Sequence, residues 1–377
     1  MSKARPFSRP IYITRPILPD LNQFKDQLEQ VWQNQWLTNN GLQHQQLEKK
    51  LRSILQVPYL SLFNNGTNAL LTAIKVLSLQ GEVITTPFSF PATPHVISWN
   101  NLQPVFCDID PKTMNIDTDK IESLITKKTS AILAVHVFGT PCDVEKIQKI
   151  ADKYNLKVIY DAAHAFGGKI NGVGIGNFGD VSMFSFHATK LFHTAEGGAL
   201  TFKDVKLKTK IDLLKNFGIK NEEEVVDIGI NGKMNEIQAV LGLLVLKHIK
   251  KERTKRKKIL EEYKKHLHDI KGISYLEYNP HIKPSYQYFV IRIDEKGFGR
   301  SRDNVYEKFK KYNVFTRKYF YPLCSQYPHY KNLPSSKKSC LPIAHKVVEE
   351  TLSLPFYGDL SLKDVEKICN ILKSFQL

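Results

Sequence analysis

Cysteine is scarce in this sequence. The five present (Cys107, Cys142, Cys324, Cys340 and Cys369) are scattered, odd in number and free of any CxxC pair. That pattern excludes a disulfide scaffold and a zinc ligand set, so the thiols read as reduced. Long apolar runs are missing too, since no stretch approaches the roughly 18 consecutive apolar residues of a membrane span. The first residues, MSKARPFSRPIYITRPILP, lack the apolar segment of a secretory signal, and the expected location is cytoplasmic. Acidic residues are the minority sign, 37 against 54 basic ones, for a net charge of +17. Such a surplus fits nucleic acid, an acidic membrane surface or small anionic substrates.

Much of that charge lies in residues 247–258, KHIKKERTKRKK. The run follows Ile237, Val240, Leu241, Leu244 and Val245 at helical spacing and precedes Ile259, Leu260 and Tyr263. It reads as the outward, solvated face of one long helix. No aromatics interleave with the charges as single-strand nucleic-acid binding wants. No helix-turn-helix or zinc pattern is found either, which weighs against a DNA-binding regulator.

What the chain does have is a 42% apolar composition over 377 residues, enough for a large core and a smaller one. Helical spacing links Leu21, Phe24, Leu28, Val31 and Trp32, then Leu42, Leu47, Leu51 and Ile54, around a turn-forming stretch at 36–41. From residue 59 short apolar runs alternate with helical patterns. Strands are predicted at 59–63, 82–86, 103–107, 131–137, 157–160, 180–185 and 198–202, with helices at 67–77, 93–99, 118–124 and 144–154. Continuous apolar strands separated by helices imply an α/β architecture with a mostly parallel sheet covered on both faces. Beyond residue 250 the pattern changes to a smaller α+β unit, with a strand at 288–293 and a helix at 302–312.

In such a sheet, ligands bind beyond the carboxyl ends of the strands. The loop after the first strand, NNGTNAL at 64–70, opens a helix with unpaired N–H groups. It reads either as an anion seat or as a plain capping turn, and it is neither a Walker-type loop nor GxGxxG. The next loop, PFSFPAT at 87–93, offers Phe88 and Phe90 for packing or for stacking on a flat ring. Asp161 ends the fifth strand without a cation nearby in sequence, so its partner is a ligand, a distant residue or solvent. Lys190 follows the sixth strand within SMFSFHATKLFHTAEGG at 182–198. A lysine there is either a solvent-facing strand end or a nucleophile whose amine is freed by desolvation.

The motifs NNGTNAL, ITTPFSFPAT, AVHVFG, DAAHAFGG, FSFHATKLFHTAEGG and INGKMNEIQA together resemble those of the DegT/StrS-type nucleotide-sugar aminotransferases, and the resemblance spans nearly the whole chain. It implies pyridoxal 5'-phosphate as cofactor and the aspartate-aminotransferase fold, type I. The implied layout is an N-terminal arm and large domain over 1–250, with a seven-stranded sheet, and a smaller C-terminal domain over 251–377. Lys190 is then the lysine that bonds the cofactor, and Asp161 the partner of its pyridinium nitrogen. Gly66, Thr67 and Ser185 take the phosphate, Phe90 stacks on the ring, and Asn231 reaches the phosphate of a partner subunit, making a homodimer with shared sites. His164 departs from the family, standing beside the ring's 3-hydroxyl where most members carry glutamine. Arg317 and Tyr319, in RKYFYPL, border a nucleotide-sugar pocket. The resemblance implies L-glutamate as donor and a dTDP-linked 4-keto-6-deoxyhexose as acceptor, the product supplying an O-antigen or other surface polysaccharide. A 3-keto or GDP-linked acceptor is the alternative. Relatives that dehydrate the sugar carry histidine at the lysine position, and Lys190 sets this chain apart from them.

Overall fold

The structure is a computed structural model describing residues 5–377. Its main sheet has seven strands: β1 (Tyr59–Phe63), β2 (Glu82–Thr85), β3 (Gln103–Phe106), β4 (Thr129–Val135), β5 (Lys157–Asp161), β6 (Val181–Ser185) and β7 (Gly198–Phe202). Their order is β1-β7-β6-β5-β4-β2-β3. Only β7 runs against the others, pairing antiparallel with β1 and β6, while the remaining pairs are parallel. The expected mostly parallel α/β sheet is therefore present, with strand ends shifted by one or two residues.

Both faces are covered because the strand side chains alternate in direction. Leu62 and Phe184 point into one core, whereas their neighbours Phe63 and Met183 point into the core on the other face. Side-chain caps start the covering helices. Asn65 accepts from Asn68 N–H at 2.8 Å to begin Gly66–Val76, and Asp143 does the same for Val144–Tyr154 through Lys146 N–H at 3.0 Å.

The second unit is built on antiparallel strands β8 (Ile273–Tyr275), β9 (Phe289–Ile293) and β10 (Thr351–Leu354). Helices Ile249–Leu267, Arg302–Lys310 and Leu362–Lys373 pack on them. Phe7 and Ile11, from the start of the chain, are buried in this same core. Their N–H groups donate to Tyr312 and Asn313 carbonyls at 3.1 and 2.8 Å.

One expectation needs correction. The apolar and basic segments around residue 247 form two helices, Glu236–Leu246 and Ile249–Leu267, parted at Lys247 and His248. There the N–H groups turn to carbonyls three residues back, Leu244 and Val245, at 3.1 and 2.9 Å. Nor is the basic run wholly a solvated face. Arg256 is 1% exposed and its Nε donates to Glu252 Oε1 at 2.7 Å. Among the described residues no helix is long and apolar enough to cross a membrane, and no cluster of three His, Cys, Asp or Glu could hold a metal. All five cysteines are unbridged, and only Cys340 is exposed.

Candidate active site

A cavity of about 580 Å³ opens at the carboxyl ends of the parallel strands, against the second unit. β1 delivers Gly66 and Thr67, β2 delivers Phe90, and β5 ends on Asp161 with His164 just beyond. β6 brings Ser185 and the loop carrying Lys190, while Arg317 and Tyr319 close the opposite side. The sequence scatters these residues, and the shared strand direction gathers them.

The Lys190 loop is tied at its neck. Phe186 N–H donates to Gly197 O at 2.8 Å, Thr194 N–H to Phe186 O at 2.9 Å, and Lys190 N–H to His187 O at 2.8 Å. The double glycine has a steric reason. A Cβ on Gly198 would stand 2.8 Å from the Asn65 carbonyl and Gly66 Cα, so only glycine lets β7 lie against the start of helix Gly66–Val76. Gly66 is confined too, since a Cβ there would meet Met183 Sδ at 3.1 Å and Ser185 Cβ at 3.3 Å. The freed helix terminus turns N–H groups and its positive dipole end toward the cavity, an anion seat with the Thr67 hydroxyl at its rim.

Burial lowers the Lys190 amine to about 8, against the opposing pull of Tyr319 and Asp161. The side chain remains partly open to the cavity. Asp161 is 5% exposed, and burial raises its carboxyl above the ordinary range despite Thr93, Ala163 and Lys190. Its Oδ2 accepts from Thr93 Oγ at 2.8 Å and its Oδ1 from Ala163 N–H at 3.1 Å. Since Thr93 donates to Asp161, the 2.7 Å contact between Ser89 and Thr93 has Ser89 as donor. Ser89 and Thr93 went unnoticed in the sequence, although hydroxyls on a strand-end loop opening a helix were the available signal.

His164 lies parallel to Phe138 and Phe320, at 6.4 and 5.8 Å between ring centres, and edge-on to Tyr288 at 5.0 Å. Burial, with Lys190 nearby, holds its pKa well below the ordinary value, so the ring is neutral. Its Nδ1 is buried without a partner. Of the two aromatics on the β2 loop, Phe88 is the packing one, edge-on to Phe138 and Phe320 at 6.0 and 5.6 Å. Phe90 is 55% exposed and lines the cavity. Asn231 lies outside the cavity lining, exposed, with Lys233 Nζ donating to its Oδ1 at 2.8 Å.

These residues fit pyridoxal 5'-phosphate on three observations: an anion seat cleared by glycine, a buried carboxylate in need of a cation, and an unpartnered imidazole nitrogen on a residue lining the same cavity. A lysine amine and such a carboxylate at the carboxyl end of a mostly parallel sheet define an enzyme of the type I pyridoxal-phosphate class.

Residues 20–373 match the DegT/DnrJ/EryC1/StrS aminotransferase family. The chain is 50% identical over 365 residues to a dTDP-4-amino-4,6-dideoxy-D-glucose transaminase of Escherichia coli, covering 96% of this chain and 98% of that one. It is 46% identical over 368 residues to the transaminase of the same name from Shigella dysenteriae, covering 98% and 100%. The crystal structure of DesI in the presence of its TDP-sugar product superposes with a TM-score of 0.93 at 33% identity, covering 98% of this chain and 94% of that one. The chain belongs to the DegT/DnrJ/EryC1/StrS aminotransferase family.

Proposed function

We propose that this aminotransferase moves an amino group from L-glutamate to C4 of dTDP-4-keto-6-deoxyglucose in the cytoplasm, leaving 2-oxoglutarate and a dTDP-linked 4-amino-4,6-dideoxyglucose for an O-antigen or other lipopolysaccharide or surface polysaccharide. The observation that carries the reading is the convergence of Lys190, Asp161 and the Gly66 helix terminus on one cavity. The dTDP sugar and the C4 position are supported by the names of the two relatives similar over nearly their full length.

Pyridoxal phosphate, when bound, supplies a carbonyl carbon for amine exchange and a ring that accepts the electron pair of a breaking C–H bond. The protein supplies the rest. Gly66 and Thr67, with Ser185, would hold the phosphate, and Asp161, whose carboxylate Thr93 and Ser89 keep in place, would match the ring's positive charge. Phe90 would cover the ring, and neutral His164 would hydrogen-bond its oxygen. Lys190 would be the residue that bonds the cofactor, and its free amine would be the base that takes the proton from the donor's α-carbon. In the second half-reaction it delivers a proton to C4 of the sugar. An amine brought to about 8 holds a much larger free-base fraction near neutral pH than one at the ordinary 10.5, which suits proton exchange in both directions. Arg317, whose guanidinium lies 5.0 Å over the Tyr319 ring, flanks the diphosphate side of the sugar.

A homodimer is part of the reading. The segment carrying Asn231 exposes Phe217, Val226 and Ile228 at 47, 46 and 83%. A second copy covering that apolar surface would receive Asn231 at its phosphate.

The test is a panel of dTDP-, UDP- and GDP-linked 3-keto and 4-keto sugars with glutamate, read by mass shift and by the position of the new amine. Turnover of the dTDP 4-keto sugar is expected to dominate. Amination at C3, or preference for a GDP sugar, would overturn the substrate assignment.

A further inference from the structure

Lys190 is gripped from the second unit by a residue that no motif marked. Gln287, just before β9, is 2% exposed. Its Oε1 accepts from Leu191 N–H at 2.7 Å, and its Nε2 donates to Thr189 O at 3.0 Å. One side-chain amide thus holds the peptide groups on both sides of Lys190. The pairing also fixes which end of the amide is which, because an N–H and a carbonyl cannot trade places.

The strap that presents Gln287 is itself anchored by the basic helix Ile249–Leu267. Arg253 donates to the carbonyls of Pro284 and Ser285 at 2.8 and 3.1 Å. Arg256, set by Glu252, reaches the carbonyl of Tyr286 at 3.2 Å. Four adjoining residues therefore carry the hold from the half-buried Arg253 and the buried Arg256 to the loop of the reactive lysine. The next residue, Tyr288, places its ring 6.0 Å from Lys190 Nζ and edge-on to His164.

The geometry points to Gln287 as the positioning residue of Lys190: it fixes the backbone on either side so that the amine stays aimed into the cavity. This rests on the proposed role of Lys190. A loop without the grip keeps its neck but gains freedom at its tip, and displacement of a reacting group by about 1 Å costs on the order of 100-fold in rate.

The test compares wild type with Gln287→Met, which keeps the volume and loses both hydrogen bonds, and with Gln287→Glu, which keeps the acceptor toward Leu191. Amide hydrogen exchange of the 186–197 peptide is measured on cofactor-free protein. Exchange in Gln287→Met is expected to be at least tenfold faster there than in wild type, with the remaining peptides unchanged; Gln287→Glu falls between. With cofactor, kcat is expected to drop roughly 10- to 100-fold while the KM for the nucleotide sugar stays within threefold. Unchanged exchange in 186–197, a kcat within twofold of wild type, or loosening spread evenly over the chain would each overturn the assignment. Wild-type protein that takes up no pyridoxal phosphate would instead defeat the proposed function, and the exchange arm would still decide the grip.

Discussion

Lys190 and Lys215 are both drawn into the interior of this chain, and they are matched differently. Lys215 is 7% exposed, and its Nζ sits 2.7 Å from Asp212, which also meets Lys208 at 3.0 Å and the Ser61 hydroxyl at 2.8 Å. Burial works to raise the Asp212 carboxyl, yet the two lysines beside it bring it below the ordinary range. Around Lys190 no carboxylate comes within ion-pair distance among the described residues, and its neighbours are a tyrosine ring at 6.0 Å and the cavity. A matched charge secures the fold; an unmatched one beside a cavity yields its proton near neutral pH.

The largest effect expected from breaking this contrast is at Lys190 itself. Lys190→Ala should lower turnover by about 10⁴-fold, the upper range for removing a general acid–base group. Lys215→Met should leave kcat within twofold and cost instead about 1–3 kcal/mol of stability, since the half-buried Asp212 loses one of its two charged donors. Steady-state kinetics and thermal melting of the two variants side by side separate the roles. Equal kinetic losses would erase the distinction.

Asp161→Asn comes next. It keeps the shape and the Thr93 contact but removes the charge, and a lost charged hydrogen bond of about 1.5–3 kcal/mol corresponds to a roughly 10- to 150-fold fall in kcat. Single-turnover absorbance of the cofactor reads this directly.

The pH dependence follows from Lys190. The amine attacks a carbonyl only without its proton, so cofactor uptake by the cofactor-free protein should rise with pH and level off above about 8, measured by stopped-flow absorbance. The stability sign agrees with this direction. Between about 8 and the ordinary 10.5 the unfolded chain binds more protons, so this site's destabilising effect is complete below 8 and fades as pH rises through that window. Thr93→Val is a milder change. Losing one donor to Asp161, about 1 kcal/mol, should slow turnover about fivefold. Smallest of all is the exposed pair Lys250→Ala with Lys257→Ala, expected to leave kcat within twofold.

Local pattern made the sheet legible, because each strand is a short apolar run and each covering helix keeps its own period. β7 reads the same as its parallel neighbours, so its reversed direction was not legible. The break at Lys247 and His248 was hidden because apolar and basic residues on both sides share one helical phase. Arg253 and Arg256 looked like surface charge since their carbonyl partners lie some 30 positions further along. Phe88 and Phe90 are two residues apart on one turn, and local pattern alone does not decide which packs and which faces the cavity; the resemblance singled out Phe90, which lines the cavity. Lys190, Asp161 and Gly66 were legible as strand-end residues. Thr93 and Ser89 had only the weaker signal of hydroxyls on a strand-end loop, and Gln287, which acts on another segment's backbone, carries no local signature. Phe7 and Ile11 likewise join a core whose remaining members lie beyond residue 250.

The most direct test of the central claim is borohydride reduction of the protein loaded with pyridoxal phosphate, followed by peptide mapping. The account predicts that the visible band disappears and that the added mass is found on the peptide containing Lys190. A label on Lys215 or any other lysine, or a protein that develops no band at all, would contradict it.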